Sequence, residues 1–234
     1  MLTPSNITKN HKVLIGTPHS DKKNYCIEDY IARVKTLTYH NYDVLIVDNS
    51  EDRKNYKRFL KEGFNAIHVK PKNHNIQKIL AESHEEIRKF AIRNNYDYLL
   101  HLESDIIPPC DVIERLMIHN IPIVSAMYMI DFGTRSHLMA QEMEDFGDIR
   151  ETINYKEGSD LMLVDGNLKK VFSHGLGCVL LNKNILDKFE FRHEKGLGLH
   201  PDSLFSMDTD AMGIPKFVDT DILCGHNNSE WIYA

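Results

Sequence analysis

Two carboxylates one residue apart, Glu103 and Asp105, are the residues of this sequence best placed to do chemistry. They follow an apolar run at 98–102, and Pro108 and Pro109 then prevent a strand from continuing in a regular ladder. A strand of this kind carries acidic groups to the carboxyl edge of a sheet, where open α/β folds bind ligands. Two such close carboxylates repel each other unless a cation lies beside them, and Mg²⁺ and Mn²⁺ favour these ligands and bridge to phosphates. The pattern predicts a divalent-cation site, with an ordinary acidic surface turn as the alternative.

Three further polar residues lie where an apolar segment ends or a helix begins: Asp48, Asp202 and His226. Asp48 follows a short apolar strand, where it could contact a ligand or cap the next helix. Asp202 stands at a helix start, where the helix dipole favours an ionised base, although a purely structural role is the alternative. His226 follows a strand and a glycine, which favours a metal ligand beside Asp105 over a surface histidine.

Apolar periodicity predicts the elements that must position these groups. Strand-like and helix-like segments alternate from 13 to 130, which is typical of βαβ units and a mostly parallel sheet with helices on both faces. The predicted strands are 13–18, 44–47, 66–69, 98–102 and 121–129, and the predicted helices are 25–37, 56–62, 76–94 and 111–119.

The pattern changes beyond residue 130. We expect loops with short strands over 131–170, then a strand at 175–181, helices at 183–189 and 201–212, and strand pieces at 217–218 and 222–224. Gly175 and Gly177 predict a close approach of backbone or ligand. Tyr128 is predicted as core, with stacking on a ligand ring as the alternative, and His68, His84 and His174 receive no role.

Composition limits the class of protein. The 234 residues, 42% hydrophobic and 26% charged, suffice for one large domain or two small ones. A net charge of −6 argues against a general nucleic-acid-coating protein but does not exclude a local basic patch. Four dispersed cysteines fit neither a zinc ribbon nor a dense disulfide framework and favour a reduced chain. Without a signal-peptide core or an apolar run near the ~20 residues of a membrane helix, we expect a cytoplasmic protein with no transmembrane segment.

Four features follow one another in an order that resembles a known family. They are a strand ending in Thr17-Pro18, a second ending at Asp48 in V-D-N-S, the triplet E-S-D, and C-G-H at His226. Over residues 12–226 this order resembles nucleotide-sugar-dependent glycosyltransferases of the GT-A fold. Within that fold it is most similar to glycosyltransferase family 2, a large family that has inverting members. The resemblance implies one α/β domain over 1–234, with a Rossmann-like, mostly parallel central sheet flanked by helices. Residues 12–130 would bind the nucleotide sugar and 131–234 would form the acceptor side.

The resemblance also assigns roles on the donor side. Thr17 and Pro18 fall where the first strand of the family meets the nucleotide, and Asp48 falls where a carboxylate reads the base. Glu103 and Ser104 fall on the first two positions of the D-x-D metal motif, with Glu in place of the first Asp, and are assigned to the nucleotide sugar.

The metal ligands implied by the resemblance are Asp105, the last position of that motif, and His226, where some members supply a further ligand. Many members open a helix with an E-D pair, with Phe three residues and Gly eleven residues after the Asp. Asp202 keeps that spacing to Phe205 and Gly213, whereas Pro201 replaces the Glu. Asp202 is therefore the implied catalytic base, with Asp208 as the alternative.

The implied activity is transfer of a sugar from a nucleotide-diphosphate sugar to an acceptor hydroxyl with Mn²⁺ or Mg²⁺, with inversion expected and retention as the alternative. A UDP-sugar is the first donor to expect. The acceptor is one of four alternatives: a glycan, a lipid, a protein or a modified nucleic-acid base. A sugar nucleotidyltransferase is one alternative, although the loop T-P-H-S-D-K-K lacks the glycine-rich basic loop of such enzymes. The other alternative is a non-catalytic nucleotide- or sugar-binding domain, which Pro201 favours.

Overall fold

The structure is a computed structural model that describes residues 10–71, 75–131, 136–146, 149–153 and 164–228. Its strands are β1 Val13–His19, β2 Tyr42–Asp48, β3 Asn65–His68, β4 Tyr98–Leu102, β5 Ile106–Ile107, β6 Ile123–Met127, β7 Met129–Asp131, β8 Ser136–Leu138, β9 Ala140–Phe146, β10 Ile149–Ile153, β11 Leu168–Val171, β12 Ser173–His174, β13 Cys178–Asn182, β14 Lys216–Leu223 and β15 Gly225–His226. Its helices are a 3-10 helix Asp21–Cys26, then α1 Ile27–Val34, α2 Lys54–Lys61, α3 Ile76–Arg93, α4 Val112–Met117, α5 Lys183–Lys188 and α6 Pro201–Ala211.

Eight strands form one central sheet in the order β11-β14-β6-β13-β4-β1-β2-β3. The run β4-β1-β2-β3 is parallel, with the chain moving outward from β1 through β2 to β3 and then returning to the other side of β1 as β4. This reversal between β1 and β4 is the topological switch point of a doubly wound fold, where a crevice opens at the carboxyl ends of the strands. The predicted Rossmann-like α/β architecture, with its central sheet flanked by helices, is confirmed.

The second half of the chain completes the same sheet. The strand β13 lies between β4 and β6 and is antiparallel to both, and β14 is parallel to β6, so that four of the seven pairings are parallel. The two strand pieces predicted near the end are one strand, β14, whose pairing with β6 is irregular between Asp219 and Leu223. The division into a donor half and an acceptor half at residue 130 stays a prediction. Much of the expected acceptor loop region (132–135, 147–148 and 154–163) lies outside the described residues.

Two apolar layers cover the faces of the sheet. The helices α1 and α4 contribute to the layer on one face, and α3 and α5 to the layer on the other. On the α3 side, Gly16 of β1 faces the helix so closely that a Cβ there would overlap Ile87. The Asn75 side chain caps α3 by accepting a hydrogen bond from Lys78 N at 2.8 Å. No helix in the described ranges is both long and apolar enough to cross a membrane.

Candidate functional site

The carboxylates predicted to do chemistry lie on a tight turn at the carboxyl end of β4. The turn spans Glu103 to Ile106 and is closed by Ile106 N donating to Glu103 O at 3.0 Å. Neighbouring segments hold it on both sides, because Glu103 N donates to Gly177 O at 2.9 Å and Asn227 N donates to Asp105 O at 2.8 Å. The side chain of Asp105 is buried. We call residues 103–106 the acidic turn.

Lys23 provides the positive charge closest to the acidic turn. Its Nζ donates to Glu103 Oε2 and to Asp105 Oδ1, each at 2.9 Å. Burial by itself lowers the pKa of Lys23, but the Glu103 and Asp105 carboxylates raise it by more, so the ammonium form is retained at neutral pH. Burial likewise raises the pKa of Asp105. The interactions of its carboxylate with Lys23 and His226 outweigh this effect and lower the pKa to about 2.

His226 approaches Asp105 from the other side. The short strand β15 pairs with β5, which places His226 opposite Ile106 and directly beside the acidic turn. Its Nδ1–H donates to Met129 O at 2.7 Å, so in the neutral ring Nε2 carries the lone pair. Nε2 lies 3.6 Å from Asp105 Oδ2, which is too long for a hydrogen bond. A backbone carbonyl that fixes the tautomer in this way is typical of metal-binding histidines.

One oxygen of Asp105 is poorly satisfied. Lys23 Nζ lies 2.9 Å from both Oδ1 and Oδ2 but donates only to Oδ1. Within the described ranges no donor reaches the buried Oδ2 in hydrogen-bonding geometry. A buried carboxylate oxygen without a donor is unfavourable, and the position between Oδ2 and His226 Nε2 suits a cation.

A chain of hydrogen bonds links the ends of three neighbouring strands. Ser104 Oγ lies 3.2 Å from His19 Nδ1, and His19 Nε2 lies 3.3 Å from Asn24 Oδ1. Asn55 Nδ2 then donates to Asn24 Oδ1 at 2.9 Å and to Ser50 Oγ at 3.0 Å. Burial lowers the pKa of His19 and so favours the neutral ring, in which Nε2–H donates to Asn24 Oδ1 and Nδ1 accepts from the Ser104 hydroxyl. The chain joins the acidic turn to the turn after β2.

Asp48, at the end of that chain, is fully engaged by its own segment. Its Oδ1 accepts from Ser50 N at 3.1 Å and from Ser50 Oγ at 2.5 Å, and its Oδ2 accepts from Tyr56 N at 3.0 Å. These bonds close the turn and cap α2, which is the structural alternative raised by the sequence. Contact of Asp48 with a nucleotide base stays a prediction. Thr17 and Pro18 are buried beside it in β1, and Thr17 Oγ1 lies 2.5 Å from Tyr30 Oη.

The two candidate bases have different surroundings. Asp202 lies in the first turn of α6, where Oδ1 accepts from Ser203 N at 2.7 Å. Burial raises the pKa of Asp202, the backbone N–H of Ser203 and the nearby His200 oppose this, and the Glu103 charge raises it further. Asp208, farther along α6, receives two hydrogen bonds at 2.9 Å from Arg192. This ion pair engages both carboxylate oxygens of Asp208.

Tyr128 explains the two glycines before β13. A Cβ at Gly175 or at Gly177 would overlap the Tyr128 ring or hydroxyl, and Tyr128 Oη accepts from Gly177 N at 3.0 Å. The close approach predicted from these glycines is therefore made by a tyrosine side chain. Burial raises the pKa of Tyr128, and the charges of Glu103, Asp202 and Asp105 raise it further.

Three buried histidines lie beneath this region. The Nδ1 atoms of His84 and His101 are 3.2 Å apart, and His174 Nδ1 donates to Gly175 O at 3.1 Å. Burial lowers the pKa of His84 and of His174 to about 4. Burial also lowers the pKa of His101, and its neighbours His84 and His174 lower it further. All three are neutral in the folded protein at pH 7.

Sequence reasoning missed two residues of the site, Lys23 and His19. The available signal was the polar segment that follows β1, because residues after the first strand of a doubly wound sheet lie at the switch point. Lys23 lies in that segment, and His19 is the last residue of β1 before it.

Comparisons with known proteins inform the fold. No family model matches the chain, and no curated protein matches it. The structure is similar to the crystal structure of A197 from STIV, with a TM-score of 0.51 and 14% sequence identity over 94% of this chain and 87% of that one. At this identity the similarity concerns the fold alone.

Proposed function

We propose that this protein is a glycosyltransferase that moves a sugar from a nucleotide-diphosphate sugar to an acceptor hydroxyl. The observation that carries this proposal is the pair of carboxylates Glu103 and Asp105 on the acidic turn at the switch point of a Rossmann-like sheet, with the Lys23 ammonium and the His226 imidazole beside Asp105. The fold is consistent with the GT-A-like architecture that the sequence resembles. A UDP-sugar is the first donor to test.

The residues present fit a divalent cation such as Mn²⁺ or Mg²⁺. Asp105 Oδ2 and His226 Nε2 would hold it, because the first lacks a donor and the second is turned toward it by the Met129 carbonyl. Among the described residues no group of three or more His, Cys, Asp or Glu side chains could hold a metal by itself, so diphosphate oxygens and water must complete the shell. When bound, the ion would offset the charge that develops on the diphosphate leaving group.

Asp202 is the proposed base. Its pKa is raised by burial and by Glu103, which moves it toward the operating pH of a general base. Asp202 would take the proton of the acceptor hydroxyl while the hydroxyl oxygen bonds to the anomeric carbon of the sugar. The bond from that carbon to the diphosphate oxygen breaks, and the nucleoside diphosphate leaves with its electron pair. Attack from the face opposite the leaving group inverts the anomeric centre.

The other predicted residues would form the donor side of the crevice. Glu103 would contact the ribose or a water molecule on the cation, because its side chain is partly exposed and Lys23 holds it beside Asp105. Ser104 is buried and bonded to His19, and would act by positioning the acidic turn. Thr17 and Pro18 would form the floor at the end of β1, where their buried side chains leave the backbone as the contact surface.

The experiment that tests the proposal is a donor screen followed by a hydrolysis assay. A panel of nucleotide sugars, with UDP-sugars first, is tested for an increase in melting temperature with and without Mn²⁺, because a ligand that binds the folded state raises it. Donors that bind are then assayed for release of nucleoside diphosphate. Binding without hydrolysis or transfer would favour a non-catalytic binding domain, and no binding by any donor would refute the proposal.

A pair of variants tests the base. We expect Asp202→Asn to reduce transfer by about 10²- to 10⁴-fold while donor affinity is retained, since a base acts mainly on the chemical step. Asp208→Asn is the matched control on the same helix and should retain transfer. Loss of transfer in Asp208→Asn with activity retained in Asp202→Asn would reassign the base to Asp208.

A further inference from the structure

Lys23 occupies the position beside the acidic turn where a cation is expected. Its Nζ lies 2.9 Å from carboxylate oxygens of both Glu103 and Asp105. We propose that Lys23 is the resident counter-ion of the acidic turn, that it competes with a divalent cation for Asp105, and that a nucleotide diphosphate relieves this competition by taking over the ammonium group. The diphosphate step rests on the proposed function, whereas the competition rests on the ion pairs alone.

A resident counter-ion is needed because of where Asp105 lies. Its side chain is 1% exposed, and an isolated buried carboxylate is strongly unfavourable. Lys23 supplies the compensating charge from an element separate from the sheet, the 3-10 helix after β1. A single cation that holds two carboxylates is also the arrangement expected of a divalent ion at an E-S-D turn.

The lysine is placed so that it can leave. The 3-10 helix is irregular at Lys23, with φ −103° and ψ 17°, and the Lys23 side chain is 26% exposed. Its only two described polar partners at Nζ are Glu103 and Asp105. Lys23 can therefore rotate outward by exchanging these two ion pairs for water, whereas the backbone of Asp105 is held in place by the hydrogen bond from Asn227 N.

A divalent ion and the ammonium group exclude each other from Asp105. An ion between Asp105 Oδ2 and His226 Nε2 would lie next to Lys23 Nζ, and two cations that close repel strongly in a partly buried site. Without another anion, the metal must displace Lys23 into solvent and binds weakly. A diphosphate offers Lys23 a second anionic partner, so metal and diphosphate bind cooperatively.

The test measures Mn²⁺ binding without nucleotide, from the electron paramagnetic resonance signal of the free ion. The proteins are the parent chain, Lys23→Met and the matched control Lys22→Met, whose lysine is adjacent and exposed. We expect Lys23→Met to bind Mn²⁺ at least about tenfold more tightly than the parent, since a competing charge has been removed. Lys22→Met should bind like the parent, and adding Asp105→Asn to Lys23→Met should abolish the gain.

The same titrations with UDP test the exchange, after correction for Mn²⁺ bound by free UDP. UDP should tighten Mn²⁺ binding more in the parent than in Lys23→Met. If Lys23→Met does not fold, as judged by circular dichroism, Lys23→Gln replaces it. Equal or weaker Mn²⁺ affinity in the lysine variant, or no Mn²⁺ binding by either protein, overturns the proposal. No binding by any nucleotide-sugar donor, together with a gain in Mn²⁺ affinity, would refute the proposed function and leave the competition standing.

Discussion

Acid should destabilise this fold through its buried histidines, and His174 allows the effect to be isolated. Burial lowers the pKa of His174 to about 4, the hydrogen bond to Gly175 O opposes this, and Lys216 lowers it further. The unfolded chain has an ordinary histidine pKa of about 6.5 and binds a proton that the folded chain excludes. The contribution of His174 to stability is therefore present above about pH 6.5 and is lost as the pH falls toward 4.

The magnitude follows from the two pKa values. Between pH 7.5 and pH 5 the free energy of unfolding should fall by about 2 kcal/mol for this one histidine, since one pKa unit corresponds to about 1.4 kcal/mol. Burial lowers the pKa of His84 to about 4 as well, and we expect a similar loss from it. Asp105 does not interfere, because burial raises its pKa but Lys23 and His226 lower it to about 2, below this pH window.

The assay is urea unfolding at several pH values between 7.5 and 5. His174→Asn keeps a side-chain donor for Gly175 O but has no group that titrates in this range. Its loss of stability over the window should be smaller than that of the parent by about 2 kcal/mol. His40→Asn, at an exposed position, is the control and should behave like the parent. If His174→Asn and the parent lose the same free energy, the buried histidine is not the source of acid sensitivity.

The glycines before β13 and the cap of α2 allow two further tests by urea unfolding. Gly175→Ala and Gly177→Ala should each lower the free energy of unfolding by about 1–3 kcal/mol through overlap with Tyr128. Tyr128→Phe should restore most of the stability lost in Gly175→Ala, because the Cβ added at position 175 would then lie 3.1 Å from the nearest ring atom, Cζ. It should restore little of the stability lost in Gly177→Ala, where the ring itself overlaps the added Cβ. Equal restoration in the two cases would contradict this packing. Asp48→Ala should cost about 1–3 kcal/mol through its lost bonds to Ser50 and Tyr56, whereas unchanged stability with lost nucleotide binding would make Asp48 a ligand contact.

Local sequence pattern was sufficient for the parallel part of the sheet. Each of the strands β1 to β4 and the helices between them has an apolar periodicity that can be recognised without the rest of the chain. Each lies within a few residues of its predicted position. In the range predicted as a helix at 25–37, the 3-10 helix extends to Cys26 and α1 covers only Ile27–Val34. The insertion of β13 between β4 and β6 was not predictable, since it depends on pairing between residues far apart in the chain.

In the site, too, residues marked by a local sequence pattern were predictable, and contacts between distant segments were not. The acidic turn and His226 were recognised because each follows a strand, and the sheet brings strand ends together. Lys23 was missed because its contact depends on a long side chain reaching from another element, which no local pattern records. Tyr128 was predicted as core, as found, but its role in requiring Gly175 and Gly177 depends on packing across the sheet.

The position of β13 and β14 within the sheet has a consequence for biosynthesis. The strands β1 to β4 can pair as soon as they leave the ribosome, but the free edge of β4 waits for β13, about 80 residues later in the chain. An unpaired edge strand is a template for wrong pairing, so the edge of β4 is exposed to it throughout this interval. His226 reaches β5 later still, with the pairing of β15. A nascent chain would therefore hold its acidic turn with Lys23 alone before the imidazole arrives.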